Sequence, residues 1–409
     1  MSFKKNINDI KKNYSLGIIG GGQLALMLTE AAKKRDLEVC VQTKSCDDPA
    51  GLKADHVIEA DPLKIRGNKS LINECEKIIF ENEWIKIDKL NLIDNKDIFV
   101  PSLNAIKPLV DRFSQKKLID RMNIPCPKWI SIEDFKNLSD EEINNWTFPL
   151  MAKSNKGGYD GKGNRKIKTK EDLDSFLTEN NSDEWLIEEW INYEKELALV
   201  GSRDRTGKIR FFPIVETFQS NHVCDWVLAP GTNEYDLNLF AINIFSSIVN
   251  ELNYVGVLAI EFFYGDNGLL INEIAPRTHN SAHFSIEACT SSQFDQYVCI
   301  SSGIMPPEIK MNCEGAIMIN LLGLKKNFPI SMETRIKMLS EIEGSNIHCY
   351  GKSREILGRK MAHITFLLNG KTHSERYDEA QILLTMVRDI WPSPNAYKKK
   401  LELDYWIFG

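Results

Sequence analysis

Residues 255–283, VGVLAIEFFYGDNGLLINEIAPRTHNSAH, contain two apolar runs joined by a turn and followed by a dense polar run. The apolar runs, 255–264 and 269–274, are rich in aliphatic, β-branched and aromatic residues, which favour strands. Between them, the segment DNG at 266–268 fits a three-residue hairpin loop whose glycine takes the left-handed conformation. The stretch therefore predicts a β-hairpin that runs directly into a polar cluster.

The loop length sets which residues face each other across the predicted hairpin. With three loop residues, Gly265 pairs with Leu269, and Glu261 lies directly opposite Glu273. Opposed side chains in an antiparallel pair have Cβ atoms about 4.5–5.5 Å apart, and like charges repel at that distance. The pair therefore predicts a cation between the carboxylates, and such hard oxygen ligands suit Mg²⁺, with Mn²⁺ as a second candidate. The alternative is a solvated hairpin with two surface glutamates.

Length and composition limit the classes of protein to consider. At 409 residues the chain is too long for one ordinary core, so two or three domains are expected. The net charge of −6 argues against a nucleic-acid binder that depends on a positive field, but it leaves room for local basic pockets. No apolar run reaches the roughly 18 residues of a membrane span, and residues 1–15 lack the apolar centre of a signal peptide. We therefore expect no membrane partner.

The nine cysteines are scattered and include no C-x-x-C pair. Most lie in apolar surroundings, as in DLEVCVQ and QYVCI, and none has a histidine at the spacing of a zinc site. We therefore expect buried, reduced thiols and a cytoplasmic location.

The pattern of apolar segments divides the chain into three regions. In 1–105, short strands such as LGIIG, LEVCVQT, KIIFENE and IFVPS alternate with helical stretches, which predicts a Rossmann-like domain with a parallel sheet. Region 106–310 contains mixed strands, a helix near 236–252 and the hairpin. Region 311–409 reads as a smaller α+β domain with strands GAIMINLLG, SNIHCYG and MAHITFLL and a helix near 378–390. The predicted fold class is multidomain, α/β with α+β.

The first glycine cluster, GGGQLA at 20–25, follows the first predicted strand. Gly20, Gly22 and Ala25 match G-x-G-x-x-A, the weaker form of the dinucleotide fingerprint. An NAD site also needs an acidic residue at the end of the second strand, but that strand ends in VQTK at 41–44. A turn at a helix N-terminus still suits a phosphate or another anion, and a purely structural turn is the alternative.

The second glycine cluster, GGYDGKG at 157–163, lacks the spacing of a Walker A loop. It lies between the predicted strands FPLMAKS and NRKIKTK, so we expect a hairpin flap whose backbone N–H groups wrap phosphates. Lys153, at the end of the incoming strand, is placed to pair with those phosphates. The alternative is a mobile surface loop.

Further along, WLIEEWINYEKELALVG at 185–201 suits an adenine-binding linker with acidic residues for the ribose, although a solvated acidic run would look the same.

Together these segments resemble the ATP-grasp superfamily, and most closely its N5-carboxyaminoimidazole ribonucleotide synthetase family. The motifs that carry the resemblance span almost the whole chain in the family's order: GGGQL at 20–24, FENEW at 80–84, DRFSQK at 111–116, GGYDGKG at 157–163, NEIAPRTHNSAH at 272–283 and YGKSREILGRKMAH at 350–363. The resemblance implies an ATP-grasp fold with a Rossmann-like N-terminal domain. It also implies ATP-dependent carboxylation of 5-aminoimidazole ribonucleotide with bicarbonate in purine biosynthesis, by a homodimer.

The resemblance also implies roles for particular residues. The implied ATP contacts are Arg112, Lys153, Gly158, Tyr159, Asp160, Gly161, Lys162, Gly163, Asn164, Glu188, Glu189, Trp190, Ile191, Glu196, Gln219, Asn272 and Glu273. The implied Mg²⁺ ligands are Glu261 and Glu273. The implied contacts of the ribonucleotide are Gln23, Leu24, Glu81, Tyr159, Asp160, Arg277, Asn280, Ser281, Lys352, Arg359 and Lys360. Asp160, Lys153 and Arg277 are the expected catalytic residues, with Asp160 orienting or deprotonating the amine.

Three departures from the family pattern leave alternatives open. Gln219 stands where family members commonly have a nucleotide-contacting histidine, Ala25 and Leu26 replace a glycine and a basic residue, and TKSCDDPAG follows the pattern only loosely. The rival predictions are another ATP-grasp ligase, such as formate-dependent glycinamide ribonucleotide transformylase or biotin carboxylase, and a nicotinamide-binding protein built on the first glycine cluster.

Overall fold

The computed structural model describes residues 13–92, 96–157, 163–180, 184–220, 223–325, 328–352 and 354–394. The centre of the predicted flap, 158–162, lies outside these residues, as does nearly all of segment 1–15. The described residues form three sheets, two small and one large. All nine cysteines are free, in agreement with the prediction of reduced thiols, but the predicted burial holds for only four of them, Cys40, Cys75, Cys289 and Cys299.

The N-terminal region forms the parallel sheet that its alternating pattern predicted. The strands pair in the order β3-β2-β1-β4, all parallel. The elements are β1 (Tyr14–Ile19), α1 (Gln23–Lys33), β2 (Val39–Thr43), β3 (His56–Glu59), α2 (Ile65–Glu74), β4 (Cys75–Phe80), α3 (Ile87–Leu90) and α4 (Leu103–Ile106). The prediction of a strand at IFVPS is wrong, because that segment makes a single bridge, from Phe99 to Ile78, beside a 3₁₀ turn at Lys96–Ile98.

A small antiparallel sheet, ordered β5-β8-β6-β7, follows in the chain. Its elements are α5 (Arg112–Arg121), β5 (Trp129–Ser131), α6 (Ile132–Lys136), α7 (Asp140–Asn144), β6 (Leu150–Ser154), β7 (Asn164–Ile167), α8 (Lys170–Glu179) and β8 (Trp185–Glu189). Strands β6 and β7 pair antiparallel on either side of the glycine-rich segment, which confirms the predicted hairpin.

The large sheet has nine strands in the order β14-β13-β9-β11-β12-β15-β17-β16, with β10 also on β9. Its elements are β9 (Lys195–Arg203), β10 (Ile209–Phe211), β11 (Val215–Ser220), β12 (Val223–Ala229), α9 (Tyr235–Glu251), β13 (Gly256–Gly265), β14 (Gly268–Ala275), α10 (Ser285–Ala288), α11 (Gln293–Ser301), β15 (Gly315–Leu322), α12 (Met332–Ser340), β16 (Asn346–Cys349), β17 (Lys360–Leu368) and α13 (His373–Ile390). Since β12 pairs with β15, the last strands of the chain continue the same sheet. The boundaries at 105/106 and 310/311 stay predictions.

The hairpin of β13 and β14 keeps the predicted opposition of the two glutamates but reaches it by a different route. Glu261 pairs with Glu273, as predicted. The three-residue loop is wrong: Gly265 pairs with Gly268 (φ +73°), so only two residues form the turn. A β-bulge beside Phe262 restores the register, because Asn272 is the extra residue on the outgoing strand.

The two faces of β13 pack against different layers. Leu258, Ile260 and Phe262 are buried on one face with the apolar side of α9. Val257 and Ala259, on the alternate positions, are buried on the other face in a cluster that also includes residues of α1 and α11. Glu261 continues this second series, so it emerges where the large sheet meets the N-terminal region.

Candidate functional site

A cavity of about 930 Å³ lies between the three sheets. Most of the predicted site residues line it: Gln23, Leu24, Glu81, Arg112, Lys153, Asn164, Glu188, Glu189, Trp190, Ile191, Glu196, Gln219, Glu261, Asn272, Glu273, Arg277, Asn280, Lys352, Arg359 and Lys360. Ser281 and Gly163 do not line it. The predictions for Gly158, Tyr159, Asp160, Gly161 and Lys162 fall outside the described residues.

The bulge explains how two consecutive residues reach this cavity. In a regular strand Asn272 and Glu273 would point to opposite faces, yet both line the cavity. Asn272 Oδ1 accepts a hydrogen bond from Lys153 Nζ at 2.9 Å, and Glu273 Oε2 lies 2.9 Å from Arg112 Nη2. The extra residue therefore presents an amide and a carboxylate side by side.

Glu261 lacks a partner of that strength. The nearest basic atom in an ion pair with it is His279 Nε2, at 3.5 Å. Burial, followed by the charges of Glu273 and Glu196, raises the pKa of Glu261 to about 8. A carboxylate held this way calls for either a proton or a cation, and its neighbour Glu273 supplies the second oxygen ligand.

Helix α5 connects the small antiparallel sheet to the large sheet beside the bulge. Asp111 caps its N-terminus by accepting from Ser114 N, and Arg112 follows as the first helical residue. One turn later, the Gln115 amide bonds the backbone of Ile274 in both directions, at 2.9 and 3.1 Å. Arg112 and Gln115 thus hold the outgoing strand just after the bulge. The sequence motif DRFSQK contained this clamp, but Gln115 was not predicted.

Glu188 is buried between two lysines. It stands on β8 opposite Met151 of β6, so Lys153 is its diagonal neighbour on the same face. Glu188 Oε2 lies 2.7 Å from Lys153 Nζ, and Oε1 lies 2.9 Å from Lys116 Nζ on α5. Burial alone would raise the pKa of Glu188, but the two lysines outweigh it and lower the pKa to about 2. The Glu188 side chain is therefore ionised and paired with both lysines. In the linker that follows, backbone groups rather than this side chain would hydrogen-bond a nucleobase.

The linker side of the cavity is aromatic. Tyr193 stacks on Phe263 with ring centroids 4.7 Å apart, and its hydroxyl donates to Glu196. Lys166 Nζ lies 3.7 Å from the ring centre of Trp190. Flat rings beside a carboxylate fit a planar base and a ribose, since the rings offer stacking and the carboxylate accepts hydroxyl protons.

The polar run after the hairpin is held by specific partners. Arg277 Nε lies 2.6 Å from Glu83 Oε2, and this cation holds the pKa of Glu83 below its usual value although burial acts to raise it. His279 accepts from Ser281 N at Nδ1, so its Nε2 faces Glu261. Asn280 exchanges hydrogen bonds with Asn320 on β15. The run therefore links the hairpin to the N-terminal sheet and to the last strands.

The first glycine cluster meets Lys352, one of the C-terminal basic residues, in the same cavity. Lys352 Nζ donates to Gln23 Oε1 at 2.8 Å and also to the Lys360 carbonyl. Glu81 accepts from Gly22 N at 2.8 Å and from Ala25 N at 3.4 Å. The N-terminus of α1 is thus occupied by the side chain of Glu81, and a dinucleotide pyrophosphate would have to displace it.

Several lining residues were not predicted: Asn82, Trp84, Met151, Tyr193, Val223, Cys224, Phe263, His279, His283, Ile356, Leu357 and Gly358. Asn82 and Trp84 lie within FENEW, and His279 and His283 lie within PRTHNSAH, so the motifs marked the segments without telling which side chains point inward. Cys224 and Met151 carried no signal, because their positions depend on strand pairing.

The arrangement of a carboxylate hairpin beside a buried lysine at the end of a strand is that of an ATP-grasp enzyme. The family model of the ATP-grasp domain matches residues 117–294. Models of the ribonucleotide synthetase preATP-grasp domain and of the phosphoribosylaminoimidazole carboxylase C-terminal domain match residues 14–108 and 316–376.

Similarity to individual proteins extends over nearly the whole chain. The N5-carboxyaminoimidazole ribonucleotide synthase of Synechococcus elongatus is 36% identical over 382 residues, which cover 93% of this chain and 96% of that relative. The chain therefore belongs to the N5-carboxyaminoimidazole ribonucleotide synthase family, and it is an enzyme of the ligase class. The rival predictions of a nicotinamide-binding protein and of another ATP-grasp ligase lose their basis.

Two solved structures illustrate the similarity of fold. The Staphylococcus aureus synthetase complexed with ADP has a TM-score of 0.81 at 31% identity and covers 93% of this chain and 99% of its own. The Aspergillus clavatus enzyme in complex with ADP and 5-aminoimidazole ribonucleotide has a TM-score of 0.80 at 26% identity and covers 92% and 99%. Among the described residues, no helix has the length and apolar character to cross a membrane.

Proposed function

We propose that this enzyme carboxylates 5-aminoimidazole ribonucleotide with bicarbonate at the expense of ATP, forming N5-carboxyaminoimidazole ribonucleotide, ADP and phosphate for purine biosynthesis. The observation that carries the proposal is one cavity lined by two sets of charged residues. The carboxylate pair with Arg112 and Lys153 forms one set, and Lys352, Arg359 and Lys360 form the other. A nucleoside triphosphate with its cation suits the first set, and a monoester phosphate suits the second.

The residues present fit a divalent cation. Glu261 and Glu273 offer opposed oxygens, and burial, followed by the charges of Glu273 and Glu196, raises the pKa of Glu261 to about 8, so a bound cation would favour its ionised form. Mg²⁺, or Mn²⁺ in its place, would neutralise charge on the transferred phosphoryl group when it binds with ATP. Lys153 and Arg112 would then contact phosphate oxygens, as Asn272 and Glu273 orient these two cations from the hairpin.

Bicarbonate activation would follow from these contacts. Bicarbonate is a poor electrophile, and phosphorylation by ATP would convert it to carboxyphosphate, which transfers its carboxyl group to the exocyclic amine of the ribonucleotide. Carboxyphosphate hydrolyses readily, so exclusion of water from the cavity is part of the proposal. We propose that Asp160 orients or deprotonates the amine, and that Arg277 stabilises the anionic carboxyl donor.

The remaining parts of the proposal concern the enzyme as a whole. We propose that it acts in the cytoplasm as a homodimer, as the family resemblance implies. The small-molecule partners are ATP, bicarbonate and the aminoimidazole ribonucleotide, and no nucleic acid takes part.

The test is ADP formation measured with and without each substrate. The purified enzyme is incubated with ATP, Mg²⁺ and bicarbonate, and ADP is followed by a coupled assay before and after addition of the ribonucleotide. We expect the ribonucleotide to accelerate ADP formation and a carboxylated product to appear by mass spectrometry. ADP formation that is indifferent to the ribonucleotide would rule out the proposed acceptor.

A further inference from the structure

Lys116 is a buried cation that the proposed chemistry does not use. It lies on the inner side of α5, 3% exposed, and it is not among the residues that line the cavity. Its Nζ is 2.9 Å from Glu188 Oε1, while the other oxygen of Glu188 is 2.7 Å from Lys153 Nζ. One buried carboxylate therefore stands between a lysine inside the cavity and a lysine behind it.

This cluster of Lys116, Glu188 and Lys153, which we call the lysine–glutamate triad, contains two cations and one anion. A buried cation costs free energy unless it is paired, so a single Lys153–Glu188 pair would satisfy burial more simply. The second lysine changes the strength of that pair, because a carboxylate shared between two cations holds each of them less tightly. Lys153 also has a second partner in Asn272, at 2.9 Å, on the cavity side.

We infer that Lys116 is a positioning residue: it holds Glu188 from behind so that Lys153 can turn from Glu188 toward the phosphate oxygens of the nucleotide. When Lys153 engages phosphate, Glu188 keeps a counterion and does not become an unpaired buried charge. The inference rests on the proposed function for the identity of the nucleotide.

Removal of Lys116 should therefore weaken nucleotide binding without any lost contact to the nucleotide. In Lys116→Met, Lys153 is the one lysine left in an ion pair with Glu188. Glu188 then competes with the phosphates of the nucleotide for Lys153. We expect the dissociation constant of ADP in the presence of Mg²⁺, measured by titration calorimetry, to rise roughly tenfold at the effective dielectric of a partly buried site. The KM of the ribonucleotide should change less than about twofold.

The chain offers a matched control on the same helix. Lys117→Met removes an exposed lysine one residue away and should leave ADP affinity unchanged. Lys116→Arg keeps the charge, so it should retain most of the ADP affinity that Lys116→Met loses. An equal loss of affinity in Lys117→Met would mean that the general charge of α5, and not the triad, is responsible.

The decisive comparison is a second change at Glu188. Because Glu188→Gln removes the competing charge, the double variant Lys116→Met with Glu188→Gln should recover ADP affinity to within about threefold of the wild type. Unchanged affinity in Lys116→Met, or no recovery in the double variant, would overturn the inference. If Lys116→Met alone does not fold, the ADP affinity of the double variant is compared directly with that of the wild type. A tenfold loss of ADP affinity in the double variant would then refute the inference.

These titrations separate the inference from the proposed reaction. They measure ADP binding alone, so a failure of the ribonucleotide to stimulate turnover would defeat the proposed function while the comparison among variants still stands. If the wild type turns over as proposed but Lys116→Met binds ADP with unaltered affinity, the proposed function stands and the inference about Lys116 fails.

Discussion

The carboxylate pair predicts that one substitution stabilises the enzyme while it destroys catalysis. In Glu261→Gln, the repulsion that arises above about pH 8, once Glu261 is ionised, disappears, because a neutral amide replaces the half-buried carboxyl group. At about 5 Å and an effective dielectric constant of 20, this repulsion amounts to about 3 kcal/mol. The difference between the usual pKa of 4.5 and a pKa of about 8 corresponds to an upper limit of roughly 5 kcal/mol.

The sign of the pH dependence follows from proton linkage. Between pH 4.5 and 8 the unfolded chain releases the Glu261 proton, while the folded protein without metal retains it. The free energy of unfolding therefore falls as pH rises through this window, and the loss is complete above the folded pKa. We expect the metal-free wild type to lose about 2–3 kcal/mol relative to Glu261→Gln between pH 5 and 8.5.

The assay is urea unfolding of both proteins in EDTA at several pH values, followed by tryptophan fluorescence. Glu251→Gln is the control, since Glu251 is an exposed partner of Arg121. Addition of Mg²⁺ with ADP should stabilise the wild type at pH 8.5 and have little effect on Glu261→Gln, because the cation then takes the place of the proton. Parallel stability curves for the wild type and Glu261→Gln across this range would refute the reasoning.

Three further predictions concern the same cavity. Glu273→Gln should abolish Mg²⁺-dependent ATP turnover and leave the far-ultraviolet circular dichroism spectrum unchanged; near-normal turnover would show that it is no metal ligand. Arg359→Ala should raise the KM of the ribonucleotide at least about tenfold more than that of ATP, with the exposed Arg354→Ala as a silent control, and equal effects on both substrates would place Arg359 elsewhere. Gln115→Ala should lower the free energy of unfolding by about 2 kcal/mol in urea titrations, because both backbone groups of Ile274 lose a buried partner; a change below about 0.5 kcal/mol would contradict the clamp.

The hairpin shows which structural features a local sequence pattern can predict. Alternating apolar residues and a turn signal predicted both strands and the opposition of Glu261 and Glu273, and these predictions are confirmed. The turn was wrong by one residue, and a bulge at Asn272 compensated for it. Bulges depend on how a strand fits its partners, here Gln115 of α5 on the adjoining backbone, so a short stretch of sequence does not reveal them.

The sequence did not predict side-chain contacts between residues that are distant in the chain. Glu188 lies at the end of an apolar strand in the predicted adenine linker, and strand pairing places it diagonal to Lys153, while α5 adds Lys116 behind it. The side chain of Glu81, whose contact with the ribonucleotide stays a prediction, accepts hydrogen bonds from the N-terminus of α1. The contacts of Glu81 with Gly22 and of Glu188 with Lys116 join residues more than fifty positions apart.

The sequence by itself determined the order of most strands and helices, because these follow from local periodicity, and its motifs carried the resemblance to the family. The tertiary structure alone decided which charges from distant parts of the chain meet. It joined the C-terminal strands to the large sheet, set Asn272 and Glu273 side by side, and enclosed Glu188 between two lysines. Coulomb energies depend on distance and burial, and both quantities exist only once the chain has folded.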